Sequence, residues 1–167
     1  MRPQKLATGT AAIFVFVGLC LVQPVPAPAA GGGGDGGEGG SAGPADATFS
    51  AALKSIESAN YEAAIPLLRD IVAADGGNAD AFNYLGYSHR KLGNYKQSLA
   101  AYQKALAVDP GHRGALEYLG ELYLKTGQLA LAEQQLGKLD DACFFGCAEY
   151  TALKKRVADY KSEATSP

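Results

Sequence analysis

The chain has 167 residues, 47% of them hydrophobic, and a formal net charge of −2. That length holds one ordinary domain plus whatever the ends contribute. Much of the apolar share is Ala and Leu, which favours helix over strand. A mildly acidic body without a Lys/Arg stripe argues against nucleic acid as the main partner.

Residues 1–30 read as an export signal. Arg2 and Lys5 form a positive start, Ala11 to Val22 is a short unbroken apolar run, and Ala27-Pro28-Ala29 supplies small residues where a signal peptidase would cut. The run is well short of the roughly 20 residues a spanning helix needs, so a short uncleaved anchor is the lesser reading. Cys20 follows Leu19 rather than the small residue a lipid-attachment site requires, and reads as an apolar leader position. Removing the leader leaves 13 basic and 17 acidic residues. Residues 31–44, GGGGDGGEGGSAGP, form a flexible linker with almost no side chain to bury. No strand precedes this Gly cluster and no G-K-[ST] follows it, so it is not a phosphate-cradling loop.

From about Ala45 the texture becomes helical. Apolar spacing and turn signals predict helices at about 47–58, 61–74, 79–91, 95–108, 113–125, 129–141 and 147–162, with a disordered tail at 163–167. The pattern repeats with a period of 34: Asn60-Tyr61, Asn94-Tyr95 and Gln128-Leu129 stand in register, as do Gly86 with Gly120 and Leu85 with Leu119. Gly93 and Gly127 match as well, with Ala59 in the same place of the first unit. A period of this size signals a solenoid. Gly86 and Gly120 should let the second helix of each hairpin approach closely. Gly93 and Gly127 should end first helices in the left-handed region. Asn94 should cap its helix, with Gln97 as capping-box partner. Pro66 falls inside a predicted helix and should bend it or forfeit a hydrogen bond.

The central unit carries Phe82, Leu85-Gly86, Gly93, Tyr95, Ser98, Tyr102, Ala105 and Pro110, and it resembles the tetratricopeptide repeat. Its neighbours are weaker copies: Ala51-Ala52 stand where Leu-Gly is expected and Gly76 where Pro is. In the third unit Leu139 replaces a small residue and Phe144 replaces Pro. The expected architecture is an all-α helix-turn-helix solenoid of three repeats (about 45–78, 79–112 and 113–146). The last helix, 147–162, with Tyr150, Leu153, Val157 and Tyr160 on one face, would cap the final apolar edge.

Cys143 and Cys147 straddle the turn before that last helix. In an oxidising compartment a structural disulfide is the default, and a separation of four residues across a turn permits the bond geometry. The C-x3-C spacing is not that of a thiol oxidoreductase, and no His follows for haem attachment. His89 reads as a core residue and His112 as a turn residue. Nothing assembles a catalytic site, and the sequence implies no cofactor and no metal.

The resemblance implies that the first helix of each repeat lines a concave groove for a protein or peptide partner. By pattern position this groove takes Asn83, Tyr84, Tyr87, Arg90 and Lys91 from the second unit. Glu117, Tyr118, Glu121 and Lys125 come from the third, and Phe49, Leu53 and Ile56 from the first. Arg90 and Lys91 could hold an acidic group. Glu117 and Glu121, however, occupy places where a clamp for a C-terminal carboxylate needs neutral or positive residues. Mixed charge with aromatics points instead to an extended or helical peptide. The expectation is thus a non-catalytic, exported, periplasmic binding scaffold. Two other readings stand beside it: a thiol redox accessory using Cys143 and Cys147, and a self-assembling structural protein.

Overall fold

The computed structural model describes residues 44–144 and 146–165; the expected export signal and the Gly-rich stretch 31–43 lie outside them. Among the described residues seven helices follow one another: α1 (Pro44–Glu57), α2 (Tyr61–Ala74), α3 (Ala79–Lys91), α4 (Tyr95–Val108), α5 (Arg113–Lys125), α6 (Leu129–Ala142) and α7 (Ala148–Thr165). The described residues contain no strand. The helices pack as hairpins α1–α2, α3–α4 and α5–α6, each stacked on the next, and α7 lies on both α5 and α6. This is the all-α solenoid of three hairpins and a closing helix that the period implies.

Helix limits follow local chemistry. Pro44 opens α1 three residues earlier than expected; a proline is suited to the first turn because its missing N–H has no helical partner there. The side chains of Asn60 and Asn78 accept from the N–H groups of Ala63 and Ala81 at 3.2 and 2.8 Å, and His112 Nδ1 accepts from Ala115 N–H at 3.2 Å. Asn94 corrects the expected capping box: its side chain makes no cap hydrogen bond. Gly93 and Gly127 have φ of +77° and +75°, as their places require, whereas Ala59 adopts φ +56° at the cost of Cβ crowding. The last helix also corrects the tail, since it runs through Thr165. Pro66 lies within α2, which continues to Ala74; lacking an N–H, it leaves the Glu62 carbonyl without its usual partner four residues on.

The core is a chain of three apolar clusters. Ala52, Ala64, Leu68, Ile71, Ala81, Leu85 and Ala101 join α1–α2 to α3–α4. Tyr102, Leu119 and Leu122 join α4 to α5. Leu116, Ala132, Leu139, Cys143, Leu153 and Val157 join α5–α6 to α7. Fully burying one such Leu or Val side chain contributes about 1.5–3 kcal/mol. Close approach is enforced at two glycines. A Cβ on Gly86 would lie 2.6 Å from the Tyr102 ring, which fixes α3 against α4. Gly120 departs from expectation: a Cβ there would meet Leu153 of α7 at 2.5 Å, so it makes room for the closing helix rather than for α6.

The turn between α6 and α7 is closed by a Cys143–Cys147 disulfide with the Cα atoms 5.7 Å apart. Cys143 is buried in the third cluster. Phe144, which stands where the repeat pattern has Pro, is 92% exposed on this loop.

Candidate functional site

The site is built on the face formed by α3, α5 and α7. Alternate turns of α3 send Leu85, Ser88 and His89 into the protein, while Tyr84, Tyr87 and Arg90 stand half-buried and Lys91 is exposed. In α5, Leu119 and Leu122 are buried, Glu117 and Tyr118 are half-buried, and Lys125 is exposed. The 3.6-residue pitch puts these residues on the flank beside the buried stripe.

An aromatic series crosses the repeats. Phe49 of α1 meets Tyr84 edge-on with ring centroids 5.8 Å apart. Tyr87 lies 6.0 Å from Tyr61 and 5.0 Å from Tyr118, and Tyr118 lies 6.3 Å from the buried Tyr102. Such pairs add about 0.5–1.5 kcal/mol beyond their area. Cations sit on the same rings. The Arg90 guanidinium is 5.4 Å from the Tyr87 centroid and 5.3 Å from that of Tyr118, and Lys91 Nζ is 5.9 and 5.6 Å from Tyr61 and Tyr87.

Beside the rings lies an ion network that ties α3, α5 and α7 together. Arg90 Nη1 reaches Glu121 Oε2 at 2.6 Å, and Arg156 Nε of α7 contacts Glu121 Oε1. Arg90 Nε also donates to the Tyr102 hydroxyl at 3.4 Å. Burial alone would lower the Arg90 pKa, but the Tyr102 and Glu121 oxygens outweigh it and raise it, so the guanidinium stays charged. Burial, reinforced by Glu121 and Glu149, holds the Glu117 carboxyl up to about 7 despite Arg156 and Arg90. Burial likewise pushes the Tyr118 hydroxyl up to about 12, with Glu117 adding to it. A hollow of about 330 Å³ opens over this network, and its walls include Leu124 and Lys125 of α5 and Tyr160 of α7.

The structure gathers Tyr84, Tyr87, Arg90, Lys91, Glu117, Tyr118, Glu121 and Lys125 on neighbouring turns of α3 and α5. It draws Asn83 inward: that side chain is 4% exposed. Phe49 and Ile56 pack against the first core cluster, and Leu53 is half-buried. Arg90, expected to hold an acidic group from outside, already holds one of the chain's own. Neither histidine joins this face. His89 is buried, with its pKa lowered by desolvation and then by Arg69. His112 caps α5 and contacts Asp80 through Nε2 at 3.1 Å.

Sequence reasoning missed the contribution of α7, notably Arg156 and Tyr160. A signal was present. Leu153 stands 34 residues after Leu119, as Leu119 does after Leu85, so α7 occupies the first-helix place of a fourth unit. Its flank therefore faces the same hollow as those of α3 and α5.

Residues 79–112 match the family model described as the tetratricopeptide repeat. No curated protein matches the chain in sequence. Among solved structures, the chain is similar to the Yersinia enterocolitica type III secretion chaperone SycD in complex with a peptide of the translocator YopD. Identity is 22% and the TM-score 0.61, over 70% of this chain and 88% of that one. It is also similar to the first tetratricopeptide domain of Spaghetti (RPAP3) bound to an HSP90 peptide, with 14% identity, a TM-score of 0.65, and coverage of 75% and 96%. A third likeness, to the Thermobaculum terrenum O-GlcNAc transferase (23% identity, TM-score 0.56), covers 59% of this chain and only 19% of that enzyme. The central unit, residues 79–112, is thus a tetratricopeptide repeat, and the stacked hairpins around it give the described residues the all-α helical solenoid fold of these neighbours.

Proposed function

We propose that the protein is a non-catalytic scaffold that holds a peptide or protein partner against the α3–α5–α7 face. The observation that carries this reading is the half-buried tyrosine series Tyr61, Tyr87 and Tyr118, linked ring to ring across the three repeats and bordered by a hollow. Tyrosine offers a large apolar surface with a polar tip and few rotors to immobilise, which suits it to recognition. Rings already in contact with one another and with Arg90 and Lys91 lose little further freedom on binding. The structures of SycD with a YopD peptide and of Spaghetti with an HSP90 peptide show the same fold in complexes of that kind.

An exported, periplasmic setting belongs to the same proposal. It is supported by the charged start and apolar run of residues 1–30 and by the disulfide, a bond that persists in oxidising compartments. Cys143 lies in the core beside Leu153, which supports a structural staple over a redox accessory.

Site-specific photo-crosslinking in cells tests the scaffold reading. A probe replacing Tyr87 should give a discrete adduct whose mass spectrum names the partner, while one replacing the exposed Lys104 of α4 should give none. Adducts at neither position, or at Lys104 alone, would remove the α3–α5–α7 face as the working surface.

A further inference from the structure

In the hollow between α5 and α7 two arginines converge on one buried carboxylate. Arg90 is fixed by the Tyr102 hydroxyl and by two aromatic rings, and Arg156 reaches toward it from α7. Between them they hold Glu121, a carboxylate only 7% exposed. Burying an ion pair contributes little to stability compared with a well-packed apolar side chain, so stability alone does not account for Glu121. Its effect on the hollow is larger. The walls carry three cations, Arg90, Lys125 and Arg156, against three carboxylates, Glu121, Asp159 and Glu163. Asp159 is further paired with Lys155 at 2.7 Å, and Glu117 stands close to Glu121, Glu149 and Arg156. With Glu121 in place the hollow is balanced and its guanidinium groups are engaged. Without it, the Arg90 guanidinium, held by Tyr102 and two rings, and the more exposed Arg156 would both be open to a carboxylate on an incoming segment.

We infer that Glu121 is the specificity-determining residue of this hollow: it fills the Arg90–Arg156 receptor from within the chain and restricts the partner segment to one without acidic side chains or a terminal carboxylate. The segment that fits is neutral and apolar, seated on Leu124 and Tyr160 and continuing onto Tyr118 and Tyr87. Specificity of this sort works by exclusion, since a competing carboxylate finds its partners occupied and like charges nearby. The inference rests on the scaffold reading of the same face.

The test uses two fluorescein-labelled, C-terminally amidated probes: a heptapeptide of six glutamates around a central phenylalanine, and the same peptide with glutamine for every glutamate. A third probe, the glutamine peptide with a free C-terminus, separates a terminal carboxylate from acidic side chains. Fluorescence anisotropy should show the wild-type chain binding the neutral peptide at least tenfold more tightly than the acidic one. In the Glu121→Gln variant the preference should move by at least tenfold toward the acidic peptide, and the gain should fade as salt rises. Because the buried Arg90 loses its partner in that variant, helix content is checked by circular dichroism. The Arg156→Gln variant, altered at an exposed side chain, provides a second arm and should weaken acidic binding further. An unchanged preference in Glu121→Gln, or tighter acidic binding in Arg156→Gln, would overturn the inference while leaving the scaffold reading intact. Binding of no probe by any variant would likewise overturn the inference, while the scaffold reading stands or falls by the Tyr87 adduct.

Discussion

The α3–α4 hairpin and the α5–α7 end of the molecule solve one packing problem in two ways. In the hairpin, Gly86 admits a rigid, fully buried aromatic, Tyr102, from the second helix of the same repeat. At the C-terminal end the matching Gly120 admits Leu153 from a helix beyond the repeat. The first contact is internal to one unit and carries the repeat pattern; the second recruits α7 into the array. On the scaffold proposal the consequence is functional as well as structural, because α7 brings Arg156 and Tyr160 to the hollow beside α3 and α5. A repeat array therefore need not end in an inert cap. Its closing helix can complete the site.

Substituting each glycine should separate the two solutions most sharply. Gly86→Val drives a branched side chain into an aromatic ring that has no room to move, and should cost about 3 kcal/mol, the upper end of overpacking effects. Gly120→Val meets the methyl ends of a leucine, which can rotate, and should cost about half as much. Urea denaturation of both variants checks the order. Equal costs would mean that α7 is held as rigidly as α4.

Next in size is the staple. Serine at both Cys143 and Cys147 should lower stability by about 2 kcal/mol, as expected for so short a loop in the chain-entropy account. The fold should persist, because Leu153 and Val157 still bury α7. If partner binding at Tyr87 and Tyr118 survives while contacts at Arg156 weaken, the disulfide positions the α7 side of the site. If binding is untouched, apolar packing alone does so.

The smallest effect is the titration of Glu117. Its folded carboxyl is held at about 7 against an ordinary 4.5, so the folded state binds more protons between those values. The associated stability is therefore complete below about pH 4.5 and is lost as pH rises through 7. Glu117→Gln should flatten that slope and be the more stable form at pH 8. The gain should stay below about 1 kcal/mol, since the group is half in solvent. Denaturation at pH 5 and pH 8 reads it directly. A slope that survives the substitution would move the cause elsewhere on the face.

Much of this architecture was legible in the residues. The 34-residue spacing of Asn60, Asn94 and Gln128 set the hairpins, and six helix starts fell within one residue of their places because turn chemistry is local. Gly93 and Gly127 were readable for the same reason, since a left-handed turn selects for glycine wherever it occurs. What was not legible depends on long-range geometry. Asn94 carries a capping residue type, but its side chain is not turned to an amide. His112, which reads as a turn residue, supplies a cap instead. Arg90 and Glu121 were both readable as groove positions, yet residues 31 apart give no sign that they neutralise each other. Arg156 was hidden because the closing helix was read as a boundary rather than as a further unit. The spacing Leu85, Leu119, Leu153 held the clue.

The measurement that bears most directly on the account is an NMR titration of the ¹⁵N-labelled protein with the partner segment captured at Tyr87. The account predicts that the largest shifts fall on α3, α5 and α7, at Tyr87, Tyr118, Glu121 and Arg156, with α2, α4 and α6 little changed. Shifts concentrated on α2, α4 and α6, or on the Phe144 loop, would contradict it.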